Sequence, residues 1–455
     1  MVARHRALLA LTLTASLVAL TACSSGGGGS SGDVAFSTKS SGTLKAWGFN
    51  NADDVGKARL AYAKSQLKGV TVSLDQTAFD AQKFTTRVAS GQVPDVVQMD
   101  ASFVNTYAAQ GLILPLDKCY AAHKVTPSSE FYPQVIDYIR YRSQVFAVPQ
   151  FYQPPAILLN ERVMKAAGVT DSDIDTSKPD TLIAAIKKMT VLQNGKPTRI
   201  GFDAQATGQS YLWLQGQGGR IVDGSGKPTL TDPANAKAID LLKRIYDAEG
   251  GYAKVKSFAD SFDFFGAKNQ FVKDQVGAEV DAQWYVNVLT PYAKQVSLGA
   301  VPFKDPSGAP YTTAGGTAFV IPAGAKNKDA ACSWMLALTS DPAWIAAAEA
   351  RKATLAKSPG SINTGLFTGN PSADQKIRSR FVQSSGNAGF DKAISTYYDV
   401  LPTGKSFGAS PAGQDIQTEI ANAITAVLLG QKSSTQALAD AQKSAERAYS
   451  QATQG

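Results

Sequence analysis

Catalysis by a hydroxyl or thiol nucleophile needs a base beside it, and this chain nearly lacks the usual one. Its only histidines are His5 and His123. His5 falls in the basic first stretch, and His123 sits in CYAAHKVTPSS with no nucleophile motif around it. A Ser-His-Asp hydrolase therefore finds no local support, and one remaining histidine cannot build a two-His metal site. GSGKPT at 224–229 carries a Gly-Lys pair. Pro228 stands where a phosphate loop needs Ser or Thr, however, and no glycine lies five residues before Gly226. Asp and Glu are numerous enough for paired-carboxylate glycosidase chemistry, but no local motif favours it, and an exported glycosidase is kept only as a remote alternative. Neither a cofactor nor a metal is expected. What remains is the chemistry of binding: five tryptophans, and acids and amides placed near the ends of strands.

Strands and helices alternate from residue 43. GTLKAWGF reads as a strand, DDVGKARLAYAKSQL as a helix, VTVSL as a strand, AQKFTTRVASG as a helix ending in glycine, and PDVVQMD as a short buried strand ending at an acid. This rhythm predicts a parallel sheet with helices on its faces. Such sheets bind ligands beyond the carboxyl ends of their strands. Trp47, Asn50, Asp80 and Asp100 all fall at or just past those ends. In FAVPQFYQPPAILLNERVMKAAG a strand ends at Pro149, three prolines interrupt regular structure, and AILLN resumes it. Proline fixes φ and lacks an amide donor, so this segment predicts a crossing between lobes. Gln150, Phe151 and Tyr152 follow its first proline. Gly315 and Gly316, just before another strand, predict a second crossing. The chain is helical from about 411, with apolar spacing in IQTEIANAITAVLLG.

The N-terminus predicts export. Arg4, His5 and Arg6 precede an apolar run from Ala7 to Leu20, the pattern of a secretory signal too short to span a bilayer permanently. Leu20-Thr21-Ala22-Cys23 resembles a bacterial lipobox, in which the cysteine is acylated and becomes the first mature residue. The expected order is a signal peptide over 1–22, a lipidated Cys23, and a Gly/Ser-rich tether over 23–42. Such a tether is a flexible coil spanning roughly 5–6 Å times the square root of its length. The protein is then anchored on the outer face of the cell membrane, on the periplasmic side where a second membrane is present. The net charge of +8 falls to +6 once Arg4 and Arg6 leave, and its dispersed lysines and arginines indicate no nucleic-acid surface. Roughly 410 residues remain to fold, more than one core accommodates, which predicts two lobes. Cys119 and Cys332 could pair in an oxidising compartment, but their separation says little about geometry. Cys332, in DAACSWMLAL, reads more simply as a buried helix residue.

Five stretches carry a wider resemblance: SGQVPDVVQMDASFVNTYAAQGLILPLD, YRSQVFAVPQFYQPPAILLNERVMKAAGV, QGQGGRIVDGSGKPTLTDPANAKAIDLLKRIYD, VGAEVDAQWYV and AGGTAFVIPAGAKNKDAACSWMLALTSD. In this order they resemble the family 1 extracellular solute-binding proteins of ABC importers, the maltose-binding-protein-like group. The resemblance implies a periplasmic-binding-protein-like α/β fold, two lobes around a hinge and a ligand cleft. The implied lobes are 43–149 with about 314–350, and 150–313 with about 351–455. It also implies a monomer that captures a small molecule, a mono- or oligosaccharide, and hands it to the permease subunits of an importer.

Sugars present apolar C–H faces and a rim of hydroxyls, so their receptors use aromatic platforms flanked by donors and acceptors. The resemblance puts Trp47, Trp213 and Trp284 at cleft positions, whereas Trp334 and Trp344 fall on a predicted core helix. Asp100 either accepts bonds from vicinal hydroxyls or caps the helix that follows it, and Asp80 has the same two readings. Gln150 and Tyr152 are cleft candidates, and Gly315 and Gly316 would let backbone amides approach a ligand. One departure stands out. Maltose-binding members carry an aromatic pair before the last helical stretch, where this chain has SFGASPAGQDIQTEI with only Phe407 nearby. The alternative ligands for the same fold are a polyamine, a glycerol phosphate or a peptide.

Overall fold

The computed structural model describes residues 34–49, 52–358 and 360–454. Cys23, the expected signal and most of the expected tether lie outside the described residues, as does Asn50. Among the described residues, no helix is long and apolar enough to cross a membrane.

The architecture is two five-stranded sheets with helices on their faces, one sheet in each lobe. In the first the strand order is Val70–Asp75, Gly42–Trp47, Val96–Asp100, Gly316–Val320, Val148–Tyr152. The first three are parallel, and Gly316–Val320 runs antiparallel to both its neighbours. In the second the order is Leu298–Val301, Pro155–Asn160, Val276–Ala282, Lys196–Asp203, Val191–Gln193. Every residue of Pro155–Asn160 and of Val276–Ala282 is buried, as expected of central strands covered on both faces.

A small third sheet has the order Phe303–Lys304, Pro310–Thr313, Gly404–Lys405, and the chain enters and leaves the first sheet in very few residues. Only Gln153 and Pro154 separate Val148–Tyr152 from Pro155–Asn160, and only Ala314 and Gly315 separate Pro310–Thr313 from Gly316–Val320. The crossings touch: Gln153 N–H donates to Gly315 O at 2.9 Å. Gly316 has φ 145°, and a Cβ there would fall 1.9 Å from Phe151 O. Glycine is required at this point, because the opposite crossing occupies the space a side chain would need. Pro149 is accommodated where the register shifts between Thr317 and Ala318, a bulge being one of the few sheet positions proline tolerates.

After residue 350 the chain serves both lobes. Helix Pro371–Phe381 packs on helix Asp341–Leu355. There Trp344, Ala347, Ile377 and Phe381 share an apolar cluster with Val55 of the first lobe. Helix Ala388–Val400 instead covers Leu298–Val301 of the second sheet, and Gly413–Leu428 touches helices of both lobes.

Trp334 and Trp344 are core residues, as predicted. Beside Trp344 lies Arg59, fully buried, its guanidinium carbon 3.8 Å from the ring centroid and its Nε donating to Leu338 O. Burial pushes its pKa down to about 9. Cys119 of helix Asp117–Ala122 and Cys332 of helix Lys328–Thr339 form a disulfide, with Cα atoms 5.8 Å apart and 213 residues between them in sequence. Burial of Cys332 and pairing are thus both realised. A bond closing so long a loop removes much of the unfolded chain's freedom and typically contributes about 2–4 kcal/mol. The double variant Cys119→Ser, Cys332→Ser should therefore shift the urea unfolding midpoint down. An unchanged midpoint would deny the bond any part in stability.

Candidate functional site

Where the two sheets face each other at the crossings lies a cavity of about 520 Å³, within the range of pockets that enclose a small ligand. The first lobe contributes Asp100, Ser102, Phe103 and Tyr138. The crossings contribute Gln153, Pro155, Thr313, Gly315 and Gly316, and the second lobe Gly208 to Leu212, Asp281, Ala282 and Trp284. Gln414 and Gln417 close it from the helix Gly413–Leu428. Its polar groups are thus four glutamine amides, two carboxylates and several hydroxyls, and no Lys, Arg or His is among the lining residues.

Four expected residues meet there: Asp100, Trp284, Gly315 and Gly316. Asp100 is the cap of its two readings, its Oδ1 accepting from Ser102 N at 2.8 Å, and it also lines the cavity. Trp284 is half-buried on helix Trp284–Leu289, and exposed Phe265 lies nearly parallel to it with centroids 6.0 Å apart. Gly315 has open space where a Cβ would stand.

The other expected residues lie elsewhere, each for a local reason. Trp47 ends its strand on the face covered by helix Ala81–Ala89. Its ring packs with Lys83 and Arg87, at 5.2 and 4.5 Å, and its Nε1 donates to Thr77 Oγ1. Asp80 caps that helix, accepting from Lys83 N at 2.6 Å, and does not line the cavity. Trp213 shares helix Ser210–Gly216 with Ser210 and Tyr211, but two residues at 3.6 per turn rotate its ring away from Tyr211's side of the helix. It is fully buried against Phe202 and Phe303 and donates to Ala204 O at 2.7 Å. Gln150 and Tyr152 are buried within the first sheet. Gln150 donates to Gln98 Oε1 and Tyr152 donates to Leu401 O. The neighbouring Gln153 lines the cavity instead.

Sequence reasoning missed Tyr138, Tyr211, Gln153 and Asp281. Asp281 sits near the end of the buried strand VGAEVDA, so the strand-end rule that found Asp100 applied to it as well. No sequence signal marks the tyrosines. In the structure both rest on Phe407: its ring stacks on Tyr211 at 4.3 Å and meets Tyr138 edge-on at 5.1 Å.

Behind the second lobe's wall stand Asp203, Glu249 and Glu279, all buried, with Asp203 facing Glu279 across the ladder. Glu249 accepts from Phe202 N and Glu279 from Gln270 Nε2, each at 2.8 Å. Burial raises the pKa of all three. Burial, reinforced by the charge of Asp203, pushes Asp281 up to about 7. Among the described residues no group of His, Cys, Asp or Glu is placed to hold a metal ion.

Residues 57–370 match the family model described as bacterial extracellular solute-binding protein. The chain belongs to this family. No curated protein matches this solute-binding protein in sequence. Its fold is that of solved structures only distantly similar in sequence. CpMnBP1 with mannotriose bound is 21% identical with TM-score 0.70, over 89% of this chain and 100% of that one. An ABC transporter solute-binding protein of Thermotoga lettingae bound with α-D-tagatose is 18% identical with TM-score 0.69, over 90% and 100%. The sugar-binding protein MalE of Xanthomonas citri is 15% identical with TM-score 0.68, over 91% and 98%.

The raised carboxylates make a prediction about stability. They hold protons in the folded chain at pH values where the unfolded chain, with carboxyls near 4, has released them. Between about pH 4 and 7 the folded state binds more protons, so stability falls as pH rises. The melting temperature of the solute-binding protein should drop between about pH 4 and 7, and Asp203→Asn should lessen that drop. An equal drop in the variant would show that Asp203 is not among the groups responsible.

Proposed function

We propose that this solute-binding protein captures a neutral sugar or short oligosaccharide in the cleft between its lobes and delivers it to the permease of an ABC importer. The observation that carries this reading is the lining: aromatic rings beside four amides and two carboxylates, without one cation. Amides both donate to and accept from hydroxyls, and carboxylates accept from vicinal pairs. A glycerol phosphate would leave its charge unpaired here, which is costly in a partly desolvated cleft. A polyamine would need standing negative charge, and Asp281, pushed up to about 7, is only partly ionised near neutrality. The sugars named with the structural relatives point the same way.

Trp284, Tyr138 and Tyr211 serve as platforms, Asp100 and the glutamines bind hydroxyls, and Gly315 lets the backbone approach the ligand. The pinned crossings act as the hinge. A ligand touching both walls favours the closed arrangement by as much as it binds that form more tightly. No bond is made or broken in this role. Cys23, acylated after removal of 1–22, would hold the receptor near its permease at high effective concentration.

A thermal-shift screen against mono- and oligosaccharides, polyamines and glycerol phosphates tests this. A ligand at a hundredfold excess over its Kd adds about 2.7 kcal/mol of stability. A shift confined to one sugar group, abolished in Trp284→Ala, is expected. A shift with a charged compound alone would keep the fold and overturn the substrate.

A further inference from the structure

Helix Ala81–Ala89 covers only part of the first sheet. Alternation puts Thr43, Lys45 and Trp47 on one face of their strand, and the helix packs on Trp47 while Thr43 and Lys45 stay exposed. Over the bare part of that face, away from the cleft between the lobes, lies a groove of about 640 Å³. Its floor holds Thr43, Lys45 and Ser73, with Lys45 paired in register to Ser73, and Lys326 stands on its rim.

The groove carries cations that nothing in the fold neutralises. Its buried acid, Asp95, accepts from the backbone amides of Lys45, Lys326 and Asn327 at 2.9, 3.0 and 2.8 Å. Those bonds occupy the carboxylate and bring the two lysines to one place. Asp75 is paired with Arg87. Lys45 and Lys326 are exposed and make no ion pair among the described residues, and the same holds for the nearby Lys39.

The N-terminal segment is fastened to the same pole of the lobe. Asn327 Nδ2 donates to the carbonyls of Ser41 and Thr43, Ser37 N donates to Asp329 Oδ1, and Lys328 Nζ donates to Ala35 O. Lys328 also lies 5.0 Å from the Phe36 ring centroid. Only residues 24–33 separate this fastened segment from Cys23, and a chain of that length reaches at most about 40 Å.

We propose that this pole of the first lobe is a docking surface for a membrane of anionic phospholipid, with Lys39, Lys45 and Lys326 toward the headgroup phosphates. The proposal rests on the lipidated Cys23 of the reading above and adds which end of the receptor meets the membrane. A short connection keeps the lysines close to the surface that holds the anchor, and an acyl chain with a basic patch supplies two signals for attachment.

The test is binding of the full chain to phosphatidylcholine vesicles with and without phosphatidylglycerol, at low and high salt. The triple variant Lys39→Gln, Lys45→Gln, Lys326→Gln is compared with Lys188→Gln, Lys196→Gln, Lys237→Gln, which removes the same charge from exposed positions on the second lobe. Each lysine near an anionic surface is worth about fivefold in binding, so the wild type should prefer the anionic vesicles by about a hundredfold at low salt. That preference should fade at high salt. The first triple should cut it by about tenfold or more, and the second should keep it within about threefold. No preference for anionic vesicles, or an equal loss in both triples, overturns the docking surface. Cys23→Ser separates the two readings, because it should weaken binding to both kinds of vesicle and leave their ratio unchanged. Binding that Cys23→Ser does not weaken overturns the anchor, while an intact ratio still supports the docking surface.

Discussion

One backbone hydrogen bond, from Gln153 N–H to Gly315 O, sits where the rest of the molecule is decided. Two segments must each leave one sheet and join another within two residues, one passing to the second lobe's sheet and one coming from the small sheet that holds Pro310–Thr313, and both must satisfy their amides while doing so. The sequence meets this demand with the residues that strands avoid. Pro154 and Pro155 need no amide partner, Gly316 takes a backbone angle closed to other residues, and Gly315 leaves its side open. Pinning the crossings to each other confines changes of backbone angle to a few positions, as a hinge requires. The same residues, Gln153, Pro155, Gly315 and Gly316, line the cavity, so the proposed site and the proposed hinge share one set of atoms.

The charge pattern follows from where the walls come from. The second lobe's wall ends two central strands that carry Asp203, Glu279 and Asp281 inside an otherwise apolar layer. Among the described residues no arginine or lysine is buried beside them, and each accepts from a backbone or amide N–H instead. Burying carboxylates this way costs free energy unless they are protonated, and a protonated wall calls for no counter-ion. The first lobe treats a buried cation in the opposite way. Arg59 is held against the faces of Trp344, Phe151 and Phe49, away from the cavity. Its charge is spent on packing.

What could be read from the sequence was the path of the chain. The alternation of strands and helices, the crossing at the prolines and the crossing at Gly315-Gly316 are all set by local chemistry, and all stand in the structure. Which way a side chain points was harder to read. Trp47 lies at a strand end as expected, yet period-two alternation turns it under Lys83 and Arg87. Trp213 lies on the right helix and on its wrong side. Tyr152 and Gln150 flank the crossing, but alternation sends Gln153 into the cavity in their place. A strand end locates a backbone to within a residue or two, and one residue is enough to exchange inside for outside. The Cys119–Cys332 bond was illegible for a different reason, because a pairing across 213 residues depends on packing that no local pattern records.

The missing aromatic pair before the last helical stretch has a structural answer. Phe407, the single ring in that region, is only 5% exposed and does not line the cavity. It supports two rings that do: Tyr211 stacks on it and Tyr138 meets it edge-on. An aromatic surface is thus presented through tyrosines drawn from distant parts of the chain, with phenylalanine as their backing. This changes what the surface can do. A phenylalanine face offers only contact, whereas a tyrosine adds a hydroxyl that both donates and accepts. Burial raises the pKa of Tyr138 and Tyr211 well beyond the ordinary phenol range, so both keep their protons and remain neutral donors. In the sugar reading proposed above, these hydroxyls add hydrogen bonding to the contact the rings provide.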